Sequence, residues 1–311
     1  MRLGSPPVEP AIRTTVVDPS EVAERFRADI REQVRERGRR LRIVGLLTQQ
    51  EGPARTYAQY ARRGAENVGM EMELWELAPR DVLAAIRRAN EDETVDGIFL
   101  YYPLVDPAED RWLRELVDPR KDVEGMHSFW SRLLYENRRY LDEERTRRTI
   151  VPCTPLAILK LLDETGLRRQ GVQAPLEGVT ACVINRSEVV GRPLSAMLAN
   201  DGATVVSLDL TGSVVFDPAI GRHTHSVRDA EITRAQALAG ADVVITGVPS
   251  REFPLVTAAE IAEGAICVNF SQFRNFDDSI MGRASAFVPR VGPMTVTMAT
   301  RNLLRLVELQ G

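Results

Sequence analysis

A chain of 311 residues, 44% apolar and 27% charged, is long enough for two α/β domains with separate cores and has the composition of a soluble globular protein. Its net charge of −4, with arginines interleaved with acids along helical stretches, excludes the basic face of a nucleic-acid binder, and no apolar run reaches membrane-spanning length. Cys153, Cys182 and Cys267 are widely spaced and read as reduced core residues of a cytoplasmic protein; with His223 and His225 in a polar loop, no metal site and no secretory leader are expected.

Met1 to about Val17 carries three prolines and little periodicity and reads as a loose arm. Asp18-Pro19-Ser20 supplies N-cap chemistry for a charged helix to about Arg37. Strand Arg42 to Leu47, helix Thr56 to Val68, strand Met70 to Leu77, helix Arg80 to Asn90 and strand Gly97 to Tyr102 follow. This alternation predicts one α/β domain with a mostly parallel sheet, its functional residues beyond the carboxyl ends of the strands. A charged loop, Asp118 to Met126, and an aromatic stretch, Phe129 to Tyr140, lead to Val151-Pro152-Cys153-Thr154-Pro155 and a bridging helix, Leu156 to Leu162.

The next stretch is the most informative. Val179 to Ile184 reads as a buried strand, Asn185 to Glu188 as a polar turn, and Leu194, Met197 and Leu198 fall at helical spacing. Ala203 to Leu208 is a second strand ending in Asp209, 18 residues beyond Gly191. Strand, turn, helix, strand and terminal carboxylate make a dinucleotide-binding βαβ unit, although Asn185 stands where the glycine-rich fingerprint has its first glycine. Turn and helix-start N–H groups suit a pyrophosphate, Gly191 permits close approach, and Asp209 suits a ribose diol while repelling a 2′-phosphate. An ordinary α/β crossover remains the alternative. A polar insertion, Thr211 to Thr233, then strand Asp242 to Gly247, helix Ala258 to Glu263, strand Ala265 to Phe270 and a C-terminal helix, Val296 to Leu309, complete the chain.

Five signatures occur together and in order: Asp96-Gly97 with the strand to Pro103, Lys121-Asp122-Val123-Glu124-Gly125, Pro152-Cys153-Thr154-Pro155, Arg186-Ser187 with Val190-Gly191-Arg192-Pro193, and Val291-Gly292-Pro293-Met294-Thr295. In these the chain resembles the methylenetetrahydrofolate dehydrogenase/cyclohydrolase family. Ile184 to Glu188, Asn200 to Thr204 and Ile245 to Ser250 look most similar to its monofunctional, NAD-dependent members of fungal type. The resemblance implies an N-terminal α/β folate domain (1–150), a Rossmann-type NAD-binding domain (151–292) and a C-terminal helix (293–311) returning to the first domain. It also implies tetrahydrofolate derivatives as substrates, NAD as cofactor and a homodimer.

Residue by residue, Tyr57 matches the tyrosine that stacks on the pterin, Glu124 replaces an aspartate on its amino edge, and Gly292 and Pro293 match a loop near folate and nicotinamide. The cofactor set implied is Asn185, Arg186, Ser187, Val190, Gly191, Arg192, Pro193, Asp209, Gly247 and Val248. Two departures stand out. The lysine of bifunctional members is Ala61 here, and the glutamine that supports it is Tyr101, leaving Tyr57, Tyr101 and Glu124 as the candidates around the reacting centre. Alanine cannot relay a proton, and Arg62 and Arg63 point elsewhere around the helix, so cyclohydrolase activity is expected to be absent or feeble. A bifunctional enzyme with a substitute for the lysine, a dinucleotide-binding regulatory protein without turnover, and a Rossmann dehydrogenase of amino acids or shikimate-like acids are the alternatives.

Overall fold

The computed structural model describes residues 12–219 and 224–310, so His223 lies outside the described residues. Thr15 and Val16, expected within a loose arm, instead form strand β1. Asp18 then caps α1 (Pro19–Glu36), its carboxylate accepting the Ser20 N–H at 2.9 Å, and Pro19 opens the helix where a missing N–H costs nothing. Strand β2 (Arg42–Leu47), α2 (Pro53–Glu66), β3 (Glu71–Glu76), α3 (Val82–Glu91) and β4 (Gly97–Tyr101) build a three-stranded parallel sheet in the order β3-β2-β4. Helices α4 (Pro107–Arg114) and α5 (Ser128–Tyr135) follow, the second realising the aromatic stretch.

Helix α6 (Cys153–Glu164) leads into the larger sheet. Its members are β5 (Thr180–Ile184), β6 (Thr204–Asp209) after helix α7 (Gly191–Asn200), the hairpin β7 (Gly212–Asp217) and β8 (Ser226–Ala230), β9 (Val243–Thr246) after α8 (Arg234–Ala239), β10 (Ile266–Asn269) and β11 (Ala286–Val288). The order is β1-β11-β10-β9-β5-β6-β7-β8, parallel through β6 and antiparallel for β7 and β8. The polar insertion is therefore that hairpin, with Val215 and Phe216 buried and the β8 edge exposed. Chain direction across the sheet reverses at β5, with β6 on one side and β9 on the other; the crevice at the ends of β5 and β9 is a topological switch point.

One predicted helix does not form. Ala258 to Glu263 makes only a turn, confined between the bridge of Val256 to Phe276 and Gly264 at φ 78°. The Glu260 carboxylate accepts the Thr257 N–H at 2.9 Å in helix-start fashion, but it also holds Arg234 at 2.9 Å, and the segment between those anchors makes turns instead of a helix.

Helix α9 (Gly292–Gln310) begins earlier than its apolar pattern suggests and packs on α1, α2 and α6. Its buried Asn302 donates to the Val123 and Val151 carbonyls, each at 3.0 Å, tying the helix to the loop after β4 and to the segment entering α6. Where α2 crosses it, Gly64 leaves so little room that a β-carbon would stand 2.4 Å from Val296 Cγ1. Gly64→Val should therefore cost about 1–3 kcal/mol of stability in urea unfolding, and Val296→Ala in the same chain should recover part of that loss.

Candidate active site

The turn after β5 has an unusual backbone. Asn185 takes φ 90°, a region that favours glycine and tolerates asparagine, so it fills the first glycine's conformational place. Both ends of its side chain are engaged: Nδ2 donates to the Gly247 carbonyl at 2.7 Å, across the switch-point crevice, and Oδ1 accepts the Ser187 N–H at 3.1 Å. Gly191 is demanded by the chain itself, since a β-carbon there would lie 1.8 Å from the Asn185 carbonyl oxygen. The Ser187 hydroxyl oxygen accepts the N–H groups of Val190 and Gly191, both at 3.3 Å, which caps the start of α7 from within. The start of α7 also presents the positive end of the helix dipole, which suits an anion. Pro193 is buried in the first turn, whereas Arg192 is exposed and close enough to Tyr135 to act on its phenol.

Asp209 ends β6 with one oxygen accepting the Arg186 N–H at 2.7 Å and the other the Leu210 N–H at 2.6 Å. Each oxygen retains a lone pair for a diol. The Arg186 guanidinium folds back, donating to the Ser207 carbonyl at 3.0 Å and the Thr211 hydroxyl at 2.8 Å, so it braces the strand end. On the far side of the crevice, a β-carbon on Gly247 would stand 1.9 Å from the Phe270 ring, so only glycine lets that ring seat. Val248 is held by a residue the sequence did not single out: buried Asn275 accepts its N–H at 2.7 Å and donates to its carbonyl at 3.1 Å. Ser271 also donates to that carbonyl, at 2.9 Å. A lone asparagine in a loop carries no periodic signal, which is why Asn275 was not legible.

Beside this crevice opens a cleft of about 850 Å³. Tyr57 and Tyr60 from α2, Thr154 at the start of α6, Phe270 to Gln272 after β10, and Arg290 to Pro293 before α9 line it. Tyr57, Gly292 and Pro293 thus meet, and nothing lies within 4 Å of a β-carbon built on Gly292, leaving open space at that point. Arg27 fixes the loop by donating to the Pro293 carbonyl at 3.4 Å and the Thr297 hydroxyl at 3.1 Å. Tyr60, Gln272, Arg290 and Arg27 are lining or bracing residues the sequence analysis did not name.

Tyr101 and Glu124 are not on the lining; they form the layer beneath Tyr57. The Tyr101 ring stacks on Phe99 with centroids 4.6 Å apart, meets Tyr57 edge-on at 6.0 Å, and turns its hydroxyl to Met72 Sδ at 3.9 Å. The loop holding Glu124 is folded by Asp122, whose carboxylate accepts the N–H groups of Glu124, Gly125 and His127 at 2.8–3.1 Å. Lys121 is a helix cap, its ammonium on the carbonyls of Ala89, Asn90 and Asp92. Glu124 accepts the Leu100 N–H at 3.0 Å, and burial pushes its carboxyl up to about 8 against that hydrogen bond. Burial likewise drives the Cys153 thiol far above its ordinary value, leaving an unreactive group. Among the described residues no cluster of His, Cys, Asp or Glu could hold a metal ion, and no helix is long and apolar enough to cross a membrane.

Comparison with known proteins matches two family models: tetrahydrofolate dehydrogenase/cyclohydrolase, catalytic domain, over residues 17–124, and the NAD(P)-binding domain of the same family over residues 152–311. The chain is 40% identical to a methylenetetrahydrofolate dehydrogenase [NAD(+)] of Saccharomyces cerevisiae, covering 93% of this chain and 94% of the relative. A Schizosaccharomyces pombe protein of the same name is 37% identical, over 97% and 96%. The solved structure of the NAD-dependent 5,10-methylenetetrahydrofolate dehydrogenase from Saccharomyces cerevisiae superposes with a TM-score of 0.89 at 37% identity, covering 96% of this chain and 98% of that one.

The backbone contact at Gly191 yields a sharp expectation. Gly191→Ala should displace the turn and weaken dinucleotide binding at least about tenfold in a fluorescence titration, roughly 1.4 kcal/mol. Gly292→Ala, which meets nothing in the chain, should leave that affinity unchanged.

Proposed function

The chain belongs to the tetrahydrofolate dehydrogenase/cyclohydrolase family, and from that premise we propose that it oxidises 5,10-methylenetetrahydrofolate to 5,10-methenyltetrahydrofolate by direct hydride transfer to NAD, with the cyclohydrolase step absent or feeble. The observation that carries the dehydrogenase-only reading is the wall beneath Tyr57. Ala61 is buried there and the Tyr101 hydroxyl faces a thioether, so neither of these two positions supplies the proton relay that hydration of the methenyl product needs. Arg62 and Arg63 are exposed, Arg62 beside Glu66 at 3.7 Å.

When bound, NAD supplies the hydride acceptor. The residues fit it: the switch-point crevice is spanned by Asn185, α7 starts on a tight turn, and the spare lone pairs of Asp209 suit the unphosphorylated ribose. Asn275 and Ser271 hold the Val248 loop beside the cleft lining, which fixes the approach of one ligand to the other. Tyr57 offers a ring face for the pterin, Pro293 and Gly292 bound the opposite side, and Glu124 reaches the amino edge from beneath. The chain's contribution is thereby positioning and exclusion of water. A cytoplasmic location is inferred from three buried, unpaired cysteines, and a homodimer from family membership with the exposed edge of β8 as available surface.

Turnover of methylenetetrahydrofolate with NAD and NADP offered separately tests the proposal. Methenyltetrahydrofolate should accumulate with NAD; formyltetrahydrofolate appearing faster than spontaneous hydrolysis would indicate a bifunctional enzyme, and binding without turnover a regulatory protein. Asp209→Asn should erode the preference for NAD over NADP by on the order of tenfold or more, as expected for loss of a charged hydrogen-bond acceptor and of repulsion toward the 2′-phosphate.

The pH dependence follows from Glu124. Its carboxyl must be ionised to accept two pterin donors, yet burial keeps the proton until about pH 8. The ionised fraction, and with it folate affinity, should rise with pH, so KM should fall roughly tenfold between one unit below and one unit above that value. Glu124→Gln should bind more weakly and lose this dependence, and an unchanged profile in the variant would remove Glu124 from the site.

A further inference from the structure

A second cavity lies away from the cleft, between α5, α6, α7 and α9, with a volume of about 200 Å³. Its floor is apolar, formed by side chains such as Leu133, Leu156, Leu159 and Met197. Six cations, Arg138, Arg139, Arg148, Lys160, Arg168 and Arg305, share the rest of the lining with neutral side chains such as Asn137 and Thr149. One carboxylate, Asp201, also lines it, and both Arg139 and Arg168 already bind it, Arg168 at 2.5 Å. Lys160 is engaged by Asp163 at 2.9 Å.

Arg148 and Arg305 are different. Among the described residues no carboxylate forms an ion pair with either. Glu308, one turn beyond Arg305, is drawn to Arg37 at 3.1 Å, and Arg148 lies over the Tyr140 ring at 5.2 Å. Burial and the neighbouring charges of Arg301 and Arg148 hold the Arg305 guanidinium down to about 10, a sign of uncompensated positive potential. Arg301, behind it, keeps a buried Nη1 without a hydrogen-bond partner. Like charges gathered over an apolar floor are costly unless something neutralises them.

We propose that this cavity is a binding site for a small phosphate-bearing anion, held by Arg305 and Arg148; the exposed Arg138 on its lining is already drawn to Glu136 at 4.0 Å. More than one negative charge is required to offset these cations, and the planar guanidinium forks match phosphate oxygens in pairs. The apolar floor leaves space for a short organic body on the phosphate. The site is separate from the dinucleotide crevice, because the α7 end that reaches it, Asn200 and Asp201, is opposite the Gly191 end. It is also about 20 Å along α9 from Gly292, since 13 residues of helix separate Arg305 from the cleft.

Calorimetry and thermal unfolding with saturating NAD present, so that the crevice is occupied, test this directly. Inorganic phosphate, pyrophosphate and phenyl phosphate are titrated against potassium chloride of equal ionic strength. The phosphates should bind saturably and raise Tm by a few degrees, with no matching rise in chloride. Free phosphate as the better ligand identifies an inorganic anion, and tighter binding of phenyl phosphate identifies an ester that uses the floor. Arg305→Met keeps the packing and removes the repelled charge; it should unfold at a higher temperature than the parent without anion and bind phosphate at least tenfold more weakly. Arg148→Gln, at an exposed position, should show the same weakening without a folding defect. The proposal is overturned if the parent shows no saturable binding, if chloride reproduces the shift, or if both variants bind phosphate as the parent does.

Discussion

One backbone contact sets the geometry of the cofactor half: Gly191 lies directly against the carbonyl of Asn185, where a single methyl group would collide at 1.8 Å. Asn185 adopts φ 90° in this contact, and its side chain reaches across the crevice to the Gly247 carbonyl. Gly247 in turn must lack a side chain because Phe270 occupies the space, and Phe270 is part of the cleft wall. A constraint at the end of β5 therefore propagates through β9 and β10 to the place where the substrate is proposed to bind. The glycine at 191 is explained by the chain's own packing before any ligand is considered.

The first half rests on a different compromise. Glu124 is a carboxyl placed under an aromatic layer, where burial disfavours its charge and one backbone N–H from Leu100 partly restores it. Asp122 makes the arrangement possible by accepting three N–H groups and so rolling the loop into one shape. A longer acid than the family's aspartate suits a position approached from beneath.

Much of this was legible in the sequence, for identifiable reasons. Buried parallel strands announce themselves as β-branched runs, which located β2, β4, β5, β6, β9 and β10 closely. Asp209 and Asn185 were legible because both stand at element ends where spacing is fixed. The hairpin of β7 and β8 was not, since an edge ribbon with one exposed face has weak alternation and a charged composition. Ala258 to Glu263 carried helix-forming residues, yet its length was set by anchors at Val256 and Gly264 that local propensity cannot register. Asn275 and Asn302 were invisible for a shared reason: each is a buried polar side chain whose partners are remote in sequence.

The joins between the halves are uneven, and this bears on how the cleft can move. On one side the backbone itself is committed: β1 pairs with β11, α1 follows it at once, and α9 packs on α1, α2 and α6 while Asn302 bonds the Val123 and Val151 carbonyls. On the rim beside the cofactor turn the links are ion pairs to the exposed Glu188, from Arg111 at 3.0 Å and Arg114 at 4.0 Å, while the far end of α7 is held to α5 by Asn200 donating to the Leu134 carbonyl at 3.0 Å. Buried backbone pairing and helix packing resist opening far more than such ion pairs do. Any hinge motion should consequently pivot about β1, β11 and α9, and its largest displacement falls at Glu188. That residue lies in the turn between Asn185 and Gly191, so the segment held most rigidly within itself is also the one best placed to travel as a unit.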